Sequence, residues 1–448
     1  MSISYTKATL SPISNPLETQ ESPRTGRQPD GVRVGFLLSR YPAVSHTFFL
    51  KEVLGLRERG IVIPVASINP PDRPMEVLPA VEAEEAGATY YIKAGGKGKL
   101  AAGVLSTALK HPGAAWRGLW AALTLGEGGL GWFHVKARLF ALFYLAEALL
   151  VGRWMREKGV GHLHVHFGGA VATVGMLTAE AWGVPWSITL HGPDEFFDQE
   201  AFYLRQKIES ACFVICISDF CRSQVLRIVP SLALERTEVV RLGVDCATLL
   251  PAVKTQERAA IKIACTGRMV AAKGHRILLE AFAQAAAELA GRGIGLACVL
   301  IGDGPERAGL EALAQRLGIA ESVQFAGAQA HGATLGMVAD ADIFVLASFA
   351  EGLPVALMEA MALGVPCIST QIAAIGELIH DGENGLLAPA SNVPMLAEAL
   401  TRLAADGEYR RRLGAAARHT VESDYNLAAN LDKLAALWHR RQKSQVTY

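Results

Sequence analysis

The sequence has no surplus of either charge: among 448 residues, Lys and Arg total 43 and Asp and Glu total 43. A nucleic-acid binder carries a basic surplus, so the balance argues against that partner. It has few cysteines, seven, at positions 212, 216, 221, 246, 265, 298 and 367. The total is odd, no C-x2-C pair occurs, and most sit in apolar runs. That pattern fits buried thiols in a reducing compartment better than disulfides or a zinc ribbon. No apolar run is long enough to cross a bilayer. The most lipid-like stretch, 139–151, holds Glu147, is flanked by Arg138 and Arg153, and falls short of the roughly 20 residues a span needs. Residues 1–30 are rich in Ser, Pro, Thr and charge and lack the apolar core of an export signal, so they read as a disordered tail. These absences predict a cytoplasmic protein, with peripheral contact to the inner face of the membrane left open.

What is present is core material. Hydrophobic residues make up 51% and charged residues 19%, and the length suits two domains of about 200 residues. Short β-branched runs alternate with helical patterns, which predicts an α/β chain with two Rossmann-like, doubly wound parallel-sheet domains facing across a cleft. Strands are expected at 32–38, 61–68, 163–166, 187–190, 213–217 and 239–241, and again at 261–266, 296–301, 322–325, 343–347 and 366–369. Helices are expected at 47–59, 276–290, 306–317 and 354–363. The resulting division is a tail at 1–30, an N-terminal domain at 31–250 and a C-terminal domain at 251–425. A C-terminal helical segment at 426–448 is expected to pack back on the first domain. The stretch 103–158 interrupts the first domain with helical sequence, read as an amphipathic pair. It carries seven basic against three acidic residues, and Trp116, Trp120, Trp132 and Trp154. Such an insert either packs on the sheet or lies on an anionic membrane.

The strongest chemical signal is EGLPVALME at 351–359, directly after the 343–347 strand. Pro354 suits a first helical turn, which leaves Glu351 in the loop and free N–H groups near Leu353 and Val355 for an anion. Glu359 lies roughly 7.5 Å further along at 1.5 Å per residue, an offset that suits a ribose whose diphosphate sits at the helix start. Alone, the pair also reads as one dipole-stabilising acid and one exposed Glu. A second loop, TGRMVAAKG at 266–274, sets Arg268 and Lys273 five residues apart between glycines. Two cations so placed can neutralise a leaving diphosphate; the P-loop order is absent. Gly302 and Gly304, in GDGP, let backbone approach a ligand but fail the dinucleotide fingerprint, because position 307 is Arg.

In the first half, LHGPD at 190–194 ends a strand on the same cleft. His191 can donate to a sugar hydroxyl or meet developing charge, with Asp194 orienting it or touching the acceptor. A strand-end His is equally a structural hydrogen-bonder. The loop 39–48 places Ser45 and His46 on the acceptor side, although Ser45 or Thr47 also serves as a helix cap. His162, His164 and His166 alternate on one strand face, which raises a metal site, but buried parallel strands without nearby carboxylates argue against it. Asp340-Ala341-Asp342 opens a strand at the end away from the cleft and reads as a turn.

Together, the E-x7-E of Glu351 and Glu359, the Gly267-Arg268…Lys273-Gly274 loop, Gly302-Asp303-Gly304-Pro305 and His191-Gly192 resemble glycosyltransferase family 4, of the GT-B fold. The resemblance covers about 31–425 and is more specific in the second domain. It implies Arg268 and Lys273 on a donor diphosphate, Glu359 on the ribose, Glu351 on the donor sugar and His191 near the reacting carbon. It implies retaining transfer by front-face attack, no metal and no resident cofactor, with a nucleotide-diphosphate sugar as co-substrate. Many members carry Gly-Gly after the first strand, where this chain has Tyr41-Pro42…Ser45-His46-Thr47-Phe48. That variant is similar to colanic-acid-type exopolysaccharide transferases, which extend a polyprenyl-diphosphate-linked saccharide at the inner face of a bacterial membrane. The readings set against it are a GT-B epimerase or hydrolase acting on the nucleotide sugar, and a non-catalytic partner that binds one.

Overall fold

A computed structural model describes residues 31–43, 47–125, 132–200, 202–251 and 259–445. The expected tail at 1–30, and Ser45 and His46, lie outside the described residues. The described residues from Val32 onward form one compact unit.

Two parallel sheets organise that unit. The first contains β1 (Gly35–Arg40), β2 (Val65–Asn69), β3 (Tyr90–Tyr91), β4 (Leu163–His166), β5 (Trp186–Leu190), β6 (Phe213–Cys216) and β7 (Thr237–Val239), in the order β3-β2-β1-β4-β5-β6-β7. The second contains β8 (Ala260–Thr266), β9 (Gly295–Ile301), β10 (Val323–Gly327), β11 (Ile343–Leu346), β12 (Cys367–Thr370) and β13 (Leu386–Ala388), in the order β10-β9-β8-β11-β12-β13. Every pairing within the two sheets is parallel. The central strands are buried on both faces, as helices on each side demand. In each sheet the order reverses once, between β1 and β4 and between β8 and β11. Loops diverge at such a point and leave a crevice at the carboxyl ends of the strands.

The expected strands at 32–38 and 61–68 begin later, because residues 32–34 and 61–63 pair only as an isolated bridge between Arg33 and Val62, and they run to Arg40 and Asn69. The two edge strands β3 and β13 were not expected; at two and three residues they are too short to show a period. The expected helical pair is three helices, Gly96–Lys110, Pro112–Thr124 and Trp132–Lys158. Buried residues of this group, among them Ala114, Ala122, Leu149 and Trp154, share one apolar core with β4, β5 and β6.

After the second sheet the chain returns to the first. Val244 N–H donates to Tyr425 O at 2.9 Å and Leu427 N–H to Val244 O at 3.0 Å. The final helix, Leu427–Gln445, then lays Leu434, Leu437 and Trp438 on Phe36 and Phe213. Arg59 meets Asp432 at 2.7 Å and Arg441 meets Glu238 at 3.0 Å. Burying one large apolar side chain stabilises a fold by about 1.5–3 kcal/mol, so this helix ties the two sheets together chiefly by packing. The seven cysteines are free, and six of them are buried.

Candidate active site

At the reversal in the second sheet, the loops after β8 and β11 lie against each other. Gly274 has φ +62°, and a Cβ there would sit 1.9 Å from Ala347 O, so glycine alone permits this approach. Phe349 N–H donates to Ala272 O at 2.8 Å and stitches the two loops. Lys273 therefore reaches Glu351, with Nζ 2.6 Å from Oε1, and the Ser348 hydroxyl donates to the same oxygen at 2.6 Å. Glu351 is 8% exposed; a carboxylate so buried needs these two donors.

The loop after β9 supports the β8 loop from behind. A Cβ on Gly302 would lie 2.0 Å from Gly267 O, and one on Gly304 would lie 2.4 Å from Met269 O. Met269 N–H donates to Asp303 O at 2.9 Å. Gly302 and Gly304 thus place backbone against backbone here, holding the segment that bears Arg268. Arg268 is exposed and has no side-chain partner among the described residues.

Pro354 is the N-cap rather than the first helical residue: its ψ of 115° is extended, and the helix is Val355–Ala362. The expected start at 354 is therefore one residue early. Leu353 is buried beneath this turn. Glu359 follows on the helix with His331 Nε2 at 3.5 Å. Burial pushes its carboxyl up to about 7, opposed by the Lys51 ammonium from the first domain. Neither Arg268 nor Glu359 hydrogen-bonds to the Lys273–Glu351 pair among the described residues.

In the first sheet, His191 follows β5 and is 7% exposed. Its ring lies 5.3 Å from Phe48 and 4.4 Å from Phe167, centroid to centroid. Its Nε2 is 3.1 Å from His166 Nδ1. Glu195 holds the turn by accepting the N–H groups of His191 at 2.7 Å and Gly192 at 3.0 Å, and that of Gly168. Lys207, fully buried, donates to Gly168 O at 2.7 Å and Gly169 O at 2.9 Å; burial pushes its ammonium down to about 7. Asp194 lies in the short helix Pro193–Phe197, its side chain outside the described set.

The two halves touch at this point. A Cβ on Gly352 would sit 2.0 Å from His191 O, and a Cβ on Gly192 would sit 3.0 Å from Gly352 Cα. His191 from one sheet and the Lys273–Glu351 pair from the other are therefore next to each other.

Sequence reasoning missed Glu195 and Lys207. Glu195 had a weak signal, an acid three residues after the N-cap position, and its carboxylate does reach back to the Gly192 N–H; glycine has no side chain to complete a capping box. Lys207 had none. The histidine run has a structural explanation: Ser187 Oγ lies 2.8 Å from both His162 Nε2 and His164 Nδ1, and Thr189 Oγ1 lies 2.9 Å from His164 Nε2. Burial pushes His162 down to about 3 and His164 well below its ordinary value. Asp340 and Asp342 hold the start of β8, through Lys262 Nζ at 2.7 Å and Lys262 N–H at 2.9 Å. Among the described residues, no group of three His, Cys, Asp or Glu side chains is placed to hold a metal ion.

Known families match both halves. Residues 127–248 fit the model described as Glycosyltransferase Family 4, and residues 252–420 fit Glycosyl transferases group 1. Both halves of the chain are glycosyltransferase domains. It is 25% identical over 419 residues to the putative colanic acid biosynthesis glycosyltransferase WcaL of Escherichia coli, covering 91% of this chain and 99% of that one. It is 28% identical over 310 residues to the alpha-D-kanosaminyltransferase of Streptomyces kanamyceticus, covering 64% and 78% respectively. In fold it matches the Anabaena protein HepE, solved with UDP and glucose, at a TM-score of 0.64 and 16% identity over 91% of this glycosyltransferase and all of HepE. The two parallel-sheet domains expected from the alternating pattern, and the GT-B fold implied by the resemblance, are the architecture observed.

Proposed function

We propose that this glycosyltransferase moves a sugar from a nucleotide diphosphate donor, with retention and without a bound metal, to a polyprenyl-diphosphate-linked saccharide during exopolysaccharide or envelope polysaccharide synthesis. The observation that carries the reading is the contact of the His191 turn with the loop bearing Glu351, paired to Lys273. A donor diphosphate set beside that loop is neutralised by Lys273 and Arg268, while Glu359 takes the ribose hydroxyls and Glu351 a hydroxyl of the sugar. Gly302 and Gly304 hold the diphosphate loop in place. As the bond from the anomeric carbon to the diphosphate oxygen breaks, the acceptor oxygen bonds on the same face. Its proton passes to the departing oxygen, and His191 steadies the charge at the reacting carbon.

WcaL, named for colanic acid, supports the acceptor class, and the UDP and glucose in HepE support the donor class. A peripheral seat at the inner membrane face is favoured by the insert. Leu105, Leu109, Trp116, Trp120, Phe140 and Phe143 are exposed, and Lys97, Lys99 and Lys110 lie on the same helical group. Among the described residues no helix is long and apolar enough to cross a membrane. Thermal-shift screening of nucleotide sugars identifies the donor, and transfer to a lipid-linked acceptor is then followed by product mass. The double substitution Lys273→Ala/Arg268→Ala should abolish transfer while the fold persists; unchanged turnover discards the assignment. Activity lost with EDTA and restored by one metal overturns the metal-free step. Release of free sugar without acceptor dependence would instead indicate a hydrolase.

A further inference from the structure

His191 is one end of a buried line of polar groups that reaches back to the first helix, Thr47–Glu58. His166 Nδ1 lies 3.1 Å from His191 Nε2, and Glu52 Oε1 lies 3.3 Å from His166 Nε2. His166 is 1% exposed, with the rings of Phe49 at 4.7 Å and Phe36 at 5.4 Å. Among the described residues its Nε2 has no aligned hydrogen bond, and the Glu52 carboxylate is the acceptor group that lies beside it. His164 does not compete for either ring, because Ser187 and Thr189 occupy both of its nitrogens.

A neutral imidazole carries hydrogen on one nitrogen and a lone pair on the other, whereas a carboxylate only accepts. Glu52 therefore favours hydrogen on His166 Nε2. His166 Nδ1 is then the acceptor, and the hydrogen shared with His191 must come from His191 Nε2. We propose that Glu52 is a positioning residue which, acting through His166, fixes His191 as its Nε2–H tautomer. Any hydroxyl that meets His191 Nδ1 then meets an acceptor rather than a donor. The consequence for transfer rests on the function proposed above; the tautomer does not. The arrangement follows the general rule that the partner of one ring nitrogen decides the state of the other.

The test uses the full chain labelled with 15N-histidine, with two-bond proton–nitrogen correlations reading each tautomer and a His191→Asn sample identifying the His191 signals. The wild type should show His191 with hydrogen on Nε2. Glu52→Met keeps the length of the side chain but removes the acceptor, so the bias on His166 is lost and His191 with hydrogen on Nδ1 should appear. Glu52→Asp, still an acceptor, should retain the wild-type state and serves as the second variant if Glu52→Met folds poorly. A wild-type His191 with hydrogen on Nδ1, or the same tautomer in wild type and Glu52→Met, overturns the relay. In the transfer assay Glu52→Met should lower kcat about tenfold with donor KM within about twofold. A changed tautomer with unchanged kcat overturns its value for catalysis. A wild type that transfers from no nucleotide sugar counts against the proposed function alone, since the spectra read the relay without turnover.

Discussion

Gly352 is the residue through which closure of the two sheets can be tested most directly. Its φ lies outside the left-handed range, so alanine is locally permitted there. The obstacle lies across the gap: an added Cβ would stand 2.0 Å from His191 O and 3.1 Å from Gly192 Cα, all backbone. Carbon and oxygen settle at about 3.3 Å or more, so Gly352→Ala must part the two loops by roughly 1.3 Å. A misplacement of about 1 Å costs on the order of 10²-fold in rate, or about 2.7 kcal/mol of transition-state stabilisation. The groups assigned to the donor diphosphate and ribose all belong to the second sheet, so donor affinity measured by calorimetry should change far less than kcat. Gly376→Ala, with open space around its Cβ, is the control. Small-angle scattering should show the variant more open than wild type. Gly352→Ala with kcat within twofold of wild type and unchanged scattering would refute the argument that this contact holds the site together.

Other outcomes follow from buried charge. Because the fold raises the Glu359 carboxyl from its ordinary 4.5 to about 7, this group costs nothing below about pH 4.5, costs progressively more up to pH 7, and levels off above. Glu359→Gln should therefore raise Tm relative to wild type at pH 8 and leave it unchanged at pH 4.5; a pH-independent difference contradicts this. Donor affinity should strengthen as pH rises through 7 in wild type and lose that dependence in Glu359→Gln, as isothermal titration at several pH values would reveal. Lys207→Met removes the donors to Gly168 O and Gly169 O and should cost about 2–4 kcal/mol in urea unfolding; a loss under 0.5 kcal/mol would show that those carbonyls find other partners. Trp116→Ser/Trp120→Ser should weaken flotation with anionic vesicles at low salt. Equal flotation of the double variant and the wild type would remove this face from the membrane.

Local sequence determined a good deal about this protein. Period and composition are local, so the alternating α/β order, the loops at 267–274 and 351–354 and the helix bearing Glu359 were legible before any coordinates. The family resemblance was carried by the same short motifs. Tertiary structure decided what lies far apart in the chain. Lys273 and Glu351 pair across 78 residues because β8 and β11 are neighbours at the strand reversal, an adjacency no local pattern encodes. Gly304 read as a place where backbone can approach a ligand, and only the fold shows that it also lets one backbone rest on another. The three histidines of β4 raised a metal site that their buried strand argued against; threonine and serine on the next strand took up two of them, and the third lies beside Glu52 and His191. Edge strands of two or three residues left no period to read. Sequence spacing states what a residue can reach along its own element, and sheet order states which other element it meets there.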